Sequence, residues 1–168
     1  METVQNRNCV LDKEAIKRKM KRMALQVAEQ NSGEKELVIA GIAGNGEIVA
    51  KCLIEDLAKL GTFQTSFVKI QLNKKELLEV SLQPDADLTN KTVILVDDVA
   101  NTGKTMLYAL KPFLAINPKK IQTLVLVERS HKLFPVQTDY AGLSLATTLQ
   151  EHIAVETEGE EIIGAWLY

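Results

Sequence analysis

Cysteine is scarce in this chain: of 168 residues only Cys9 and Cys52 carry a thiol, they lie far apart, and no Cys-x-x-Cys pair occurs. A disulfide framework and a cysteine zinc site are excluded on that ground, and both residues are expected as reduced core thiols. Long apolar runs are missing too. None approaches the roughly 18 residues of a membrane span. The segment Met1-Glu2-Thr3-Val4-Gln5-Asn6 has neither the basic flank nor the apolar stretch of a signal peptide. No membrane partner and a cytoplasmic location are therefore expected. Basic residues stop at Lys132, and the tail beyond it carries Glu151, Glu156, Glu158, Glu160 and Glu161. The formal net charge of −2 conceals this polarity, because Arg7, Lys13, Lys17, Arg18, Lys19, Lys21 and Arg22 crowd the other end.

What is present is an ordinary globular composition, 46% hydrophobic and 25% charged. A chain of this size buries roughly 68–70% of the surface its unfolded form exposes, so it needs no metal or disulfide staple. A single domain over 1–168 is expected. Ile16, Met20, Met23 and Val27 recur as a helical stripe behind Asp12, a suitable N-cap, and predict a helix over 12–30 that ends at Asn31-Ser32-Gly33. Met20 and Met23 read as core.

Leu37-Val38-Ile39-Ala40 predicts a buried strand that runs into the glycine loop Gly41-Ile42-Ala43-Gly44-Asn45-Gly46. A helix with Val49, Leu53, Leu57 and Leu60 at helical spacing follows, closed by Gly61. Residues 62–70 predict a strand and 71–90 a long loop or lid. Thr92 to Val96 then predict a strand, 97–104 a loop, and 105–117 a helix in which Pro112 marks either a kink or a second turn. Ile121 to Val127 form a further strand, and Ile162 to Tyr168 read as a strand-like stretch whose Trp166 and Tyr168 pack an edge or dimer surface. Alternating strands and helices predict an α/β fold, a parallel sheet with helices on both faces. Ligands of such sheets lie beyond the carboxyl ends of the strands, where both glycine loops fall.

The densest chemical signal is Val93-Ile94-Leu95-Val96-Asp97-Asp98-Val99-Ala100-Asn101-Thr102-Gly103-Lys104-Thr105. Two adjacent acids at the end of an apolar strand repel one another and lose hydration, so they call for a polyol or a cation. Asn101, Thr102, Gly103, Lys104 and Thr105 add small residues, hydroxyls and backbone N–H groups at a helix start, a receptor for a phosphate dianion. Together they fit a ligand with a sugar diol and a phosphate. A Walker A loop would need glycine where Asp98 stands, and a Rossmann fingerprint from Gly44 would need Gly or Ala where Val49 stands. A receiver domain places its acid pair on the first strand, and only 70 residues follow Asp98.

The segment resembles the phosphoribosyl pyrophosphate motif of type I phosphoribosyltransferases: four apolar residues, two acids, a short variable stretch, then Thr-Gly-x-Thr. Val10 to Ile16, Val125 to His131 and Asp139 to Gly142 extend the resemblance to the pyrimidine-operon attenuator proteins that are also uracil phosphoribosyltransferases. The resemblance implies transfer of a phosphoribosyl group from phosphoribosyl pyrophosphate to a nucleobase, giving uridine monophosphate and pyrophosphate when the base is uracil. It implies that Asp97 and Asp98 hold the ribose hydroxyls and stabilise a cationic sugar, and that residues 101–105 hold the 5′-phosphate. Ala43, Gly44, Asn45 and Gly46 take the place of the pyrophosphate loop, with Asn45 where relatives carry a basic residue. Lys74, Lys75 and Arg129 are candidates for lid or pyrophosphate contacts, Arg129 equally for a salt bridge. Mg²⁺ bound mainly through substrate and water, without a dedicated protein cage, is the implied cofactor. Asn101 stands where purine-salvage relatives carry an acid, and an amide cannot accept a proton, which favours a pyrimidine. A hood from the N-terminal strand and residues 138–152, a homodimer and RNA binding through the basic helix complete the expectation, with an RNA-binding regulator of weak catalysis, or salvage of another base, as alternatives. His131 and His152 read as surface or interface residues.

Overall fold

The computed structural model describes residues 7–73, 75–76 and 79–168. Its centre is a six-stranded sheet in the order β4-β3-β2-β5-β6-β7. The strands are β2 (Glu36–Ile42), β3 (Gln64–Leu72), β4 (Val80–Gln83), β5 (Thr92–Ala100), β6 (Lys120–Arg129) and β7 (Tyr140–Leu145). All neighbours pair in parallel except β4, which returns antiparallel along β3. The sheet is thus mixed at one edge, because residues 71–90 hold a short strand as well as loop.

Successive residues of β5 serve opposite faces. Ile94 and Val96 join the core under α1 (Lys13–Gln30) and α2 (Asn45–Leu60), while Val93 and Leu95 join the core under α3 (Lys104–Ala109) and α4 (Lys111–Leu114). That alternation explains why the sequence reads as an unbroken apolar run: both faces are covered. Helix α1 follows its stripe, with Ile16, Met20, Met23 and Val27 buried. Asp12 caps it, its Oδ1 accepting from the Ala15 amide at 2.7 Å, and the buried Asn31 closes it by donating from Nδ2 to the Val27 carbonyl at 2.8 Å. Helix α2 ends at Gly61 with φ 65°, the left-handed geometry that residue supplies. Pro112 opens α4, so of the kink and the second turn left open at that residue the structure forms the second turn.

A second, three-stranded antiparallel sheet has the order β1-β9-β8, from β1 (Asn8–Asp12), β8 (Ile153–Glu158) and β9 (Glu161–Leu167). Its Leu11, Ile153, Val155, Ile162 and Ala165 pack into the α1 and α2 core. This corrects the expected hood: residues 140–145 lie in the large sheet, and 153–167 supply the small one. Tyr140 decides the placement, since its ring is buried and its hydroxyl lies 3.1 Å from Gln30 Oε1 and 3.0 Å from Gln122 Oε1. Strand β9 is the middle strand rather than an edge, and Trp166 meets the Arg7 guanidinium 4.4 Å from its ring centroid. Cys9 is exposed and Cys52 half-buried, so only the second approaches the core thiol expected of both. No helix among the described residues is long and apolar enough to cross a membrane.

Candidate functional site

Strand β5 continues past the point where the sequence suggests a loop, because β6 runs on to Arg129 and keeps pairing: Asp97 lies opposite Val125, Val99 opposite Val127 and Ala100 opposite Glu128. The acid pair is therefore set on a strand rather than a loop. Asp97 is buried, 7% exposed. Its Oδ1 accepts from the Asp98 amide at 2.8 Å, and Asp98 Oδ1 accepts from the Val99 amide at 2.8 Å. Each carboxylate is aimed by the next backbone N–H.

The loop from Asn101 to Gly103 and the start of α3 enclose a cavity of about 80 Å³ lined by Val99 through Met106. Gly103 turns the chain at φ 83°, the left-handed region that favours glycine, and a Cβ there would crowd the Phe134 carbonyl oxygen at 3.2 Å. Thr102 Oγ1 accepts from the Lys104 amide at 3.2 Å, and the Thr102 carbonyl accepts from the Leu133 and Phe134 amides, each at 3.0 Å. Residues 130–139 thus lie against this loop.

They bring a cation the sequence reading did not single out. Lys132 donates to Glu128 Oε2 at 2.7 Å with its side chain only 13% exposed. Its Cδ would lie 3.5 Å from a Cβ on Gly103. Glu128 also accepts from Ser144 Oγ at 2.7 Å and from Thr138 Oγ1. Burial pushes the Glu128 carboxyl up, but the Lys132 ammonium and the two hydroxyls outweigh it and hold it below the ordinary carboxylate value. The acid and base four residues apart at the end of β6 were the available signal.

The other glycine loop sits directly on the acids. A Cβ on Gly46 would lie 2.9 Å from Asp97 Oδ1 and 3.1 Å from the Val96 carbonyl oxygen, so any other residue at this start of α2 would have to displace the acid or β5. Asn45 donates from Nδ2 to Asp98 Oδ2 at 3.1 Å and to the Val155 carbonyl at 2.9 Å, while its Oδ1 accepts from Thr157 Oγ1 at 3.3 Å. Gly44 has φ 95°. Ala43 departs from expectation: its amide donates to the Ile70 carbonyl at 2.9 Å and is spent on β3.

Asn101 lies on the far side of the acids. Its Nδ2 donates to the Ile153 carbonyl at 3.4 Å, and its buried Oδ1 has no hydrogen-bond partner among the described residues. The site is thus bounded by β8 along the small sheet. Arg129 is engaged otherwise than expected: its Nε donates to Thr147 Oγ1 at 2.6 Å and its Nη2 to the Thr148 carbonyl at 2.7 Å, which pins the 146–152 loop. Neither of these two bonds is the salt bridge considered for it. Lys75 is exposed in the 73–79 stretch, and Lys74 lies outside the described residues. His131 and His152 are exposed. Among the described residues no group of three or more His, Cys, Asp or Glu could hold a metal. The arrangement offers two fixed carboxylates between a small-residue phosphate-sized cavity and a second helix start.

Comparison with known proteins places this geometry. Residues 7–158 match the phosphoribosyl transferase domain. The bifunctional protein PyrR of Staphylococcus carnosus is 33% identical, over 92% of this chain and 95% of its own. That of Clostridium novyi is 34% identical, over 94% and 96%. Among solved structures, the hypoxanthine phosphoribosyltransferase of Trypanosoma cruzi superposes with TM-score 0.78 at 16% identity, over 94% of this chain and 95% of that one. A hypoxanthine-guanine phosphoribosyltransferase of Bacillus anthracis gives 0.76 at 20%, over 94% and 96%.

Proposed function

The chain belongs to the phosphoribosyltransferase domain family, and from that premise we propose that it transfers the phosphoribosyl group of phosphoribosyl pyrophosphate to uracil, giving uridine monophosphate and pyrophosphate. The observation that carries the reading is the acid pair, fixed by backbone amides between the two helix starts. Asp97 and Asp98 accept hydrogen bonds from the ribose 2′ and 3′ hydroxyls, and their charge stabilises the cationic sugar as the bond from C1′ to pyrophosphate breaks and the bond to the base nitrogen forms. Residues 101–105 receive the 5′-phosphate in the cavity they line. Gly44, Asn45 and Gly46 border the leaving pyrophosphate from the start of α2, without the Ala43 amide.

Mg²⁺ fits this donor set. Two carboxylates, with no third such ligand grouped with them among the described residues, suit an ion that keeps several waters and binds through one or two acids plus substrate oxygens. When bound, it would be held by Asp97 and Asp98 directly or through water, and it would neutralise pyrophosphate charge. Uracil is favoured over purines because the Asn101 amide cannot accept a proton.

The test is a turnover screen of free nucleobases with calorimetric binding of phosphoribosyl pyrophosphate. Uracil should exceed guanine, hypoxanthine and adenine, and a purine as best substrate would overturn the base assignment. Asp97→Asn with Asp98→Asn should abolish Mg²⁺-dependent binding while the fold persists. Unchanged affinity in that double variant would defeat the site assignment. A second reading, an RNA-binding regulator acting as a homodimer, is supported by one feature: Arg18 and Lys21 are exposed and Lys19 is half-buried on α1, and the three have no ion-pair or hydrogen-bond partner among the described residues. Titration of a labelled RNA hairpin against Arg18→Glu with Lys21→Glu tests it, and equal weak binding by both proteins would remove it.

A further inference from the structure

Asn45 occupies the one position of the second glycine loop whose side chain could reach a ligand, yet its amide is directed elsewhere. Both protons of Nδ2 have acceptors, the Asp98 carboxylate at 3.1 Å and the Val155 carbonyl at 2.9 Å. The oxygen Oδ1 faces a donor, the Thr157 hydroxyl at 3.3 Å. The orientation is set on chemical grounds, because a flipped amide would turn its oxygen against two acceptors, the Asp98 carboxylate and the Val155 carbonyl.

The carbonyl it bonds belongs to a strand edge. In the β8 and β9 pair, His152 and Tyr168 exchange both backbone hydrogen bonds, so Ile153 and Val155 fall at non-bonded positions and direct their carbonyls away from β9. Among the described residues strand β8 has no other neighbour in its sheet. Its outward carbonyls would be unpaired over the site, and Asn101 takes one, Asn45 the other. Asn45 alone extends the chain of bonds to an acid.

We propose that Asn45 is a positioning residue, which orients the Asp98 carboxylate for the ribose hydroxyls and fixes it to the small sheet through Val155 and Thr157, rather than a ligand of pyrophosphate. The proposal rests on the reading of Asp98 as a ribose ligand. With Oδ1 of Asp98 held by the Val99 amide and Oδ2 by Asn45, the carboxylate is fixed at both oxygens and keeps lone pairs for the sugar. Thr157 acts one step further out, and among the described residues its hydroxyl reaches the site through Asn45.

The experiment compares wild type, Asn45→Ala, Thr157→Val and Thr157→Ser by steady-state kinetics and by calorimetry with inorganic pyrophosphate. A hydrogen bond to a charged group is worth about 1.5–3 kcal/mol, so Asn45→Ala should lower kcat about ten- to hundred-fold. KM for phosphoribosyl pyrophosphate and the affinity for inorganic pyrophosphate should change less than about threefold. Thr157→Val should show the same kcat-selective loss in weaker form, and Thr157→Ser, which keeps the hydroxyl, should restore it. A residue that merely supported the fold would lower active fraction or thermal stability without that rescue. Weakened pyrophosphate binding in Asn45→Ala with Thr157→Val indistinguishable from wild type would overturn the proposal and return Asn45 to the leaving group. Should Asn45→Ala fail to fold, the two Thr157 variants decide the matter alone. A wild-type protein that neither binds nor turns over phosphoribosyl pyrophosphate would instead defeat the underlying functional reading.

Discussion

At Gly46 the space for a side chain is already taken by Asp97 Oδ1 and the Val96 carbonyl. Alanine there would push an acid and a main-chain oxygen that β5 holds in register, neither of which can yield as a flexible side chain does. Gly46→Ala should cost at least tenfold in kcat/KM for phosphoribosyl pyrophosphate and lower the melting temperature, as measured by kinetics and calorimetry. Glu128 gives a pH prediction. Its carboxyl is held below the ordinary value of 4.5 in the folded protein. The stabilisation it provides is therefore complete above that value and is lost as pH falls through it towards the depressed folded value. Thermal melting should show wild type losing its advantage over Glu128→Gln across that acidic window and keeping it at neutral pH. The acids and the 101–105 loop were legible in sequence because they are contiguous in the chain. The commitments of Ala43 to Ile70, Arg129 to Thr147 and Thr148, and Lys132 to the Gly103 loop were not, since each partner is brought by another strand or loop.

Elements followed local rules where the pattern was long. Helix α1 was readable from four apolar positions and one cap, and both act as the spacing says. Asp12→Ala removes the bond to the Ala15 amide and should cost about 1 kcal/mol, the usual worth of an N-cap, whereas Met23→Ala empties a fully buried site and should cost about 2–5 kcal/mol. Chemical denaturation of the two variants separates the effects. Short elements escaped. Strand β4 has four residues and owes its existence to pairing with β3, and between the kink and the second turn open at Pro112 the sequence does not choose. Strand β7 falls within the hood expected over 138–152 because sequence spacing does not reveal which sheet a strand joins. The burial of Tyr140 beneath α1 settles that in three dimensions.

Over the whole molecule the charge polarity of the sequence is largely cancelled by folding. The acidic tail returns along the basic start, pairing Arg7 with Glu156 and Lys13 with Glu161, and Lys51 with Glu160. Lys17 is taken by Glu14 within α1, and Arg22 spends its Nη2 on the Ala141 and Gly142 carbonyls at 3.0 and 2.9 Å. Of the seven basic residues from Arg7 to Arg22, Arg18, Lys19 and Lys21 are left without such partners among the described residues. Exposed ion pairs are worth roughly 0–1 kcal/mol, so the paired cations could be freed at small cost, but each would leave its acid behind as a repelling charge. A polyanion is therefore met by about three cations per chain rather than seven. Each neutralised phosphate contributes roughly −0.7 to −0.9 to the slope of log affinity against log salt, so the slope for an RNA hairpin should be about −2 to −3 per chain. Arg18→Glu with Lys19→Glu and Lys21→Glu should flatten it to near zero, while Lys13→Gln should leave it unchanged. Fluorescence titrations across a salt series read this directly, and a slope near −6 per chain would mean that the ion pairs open on binding.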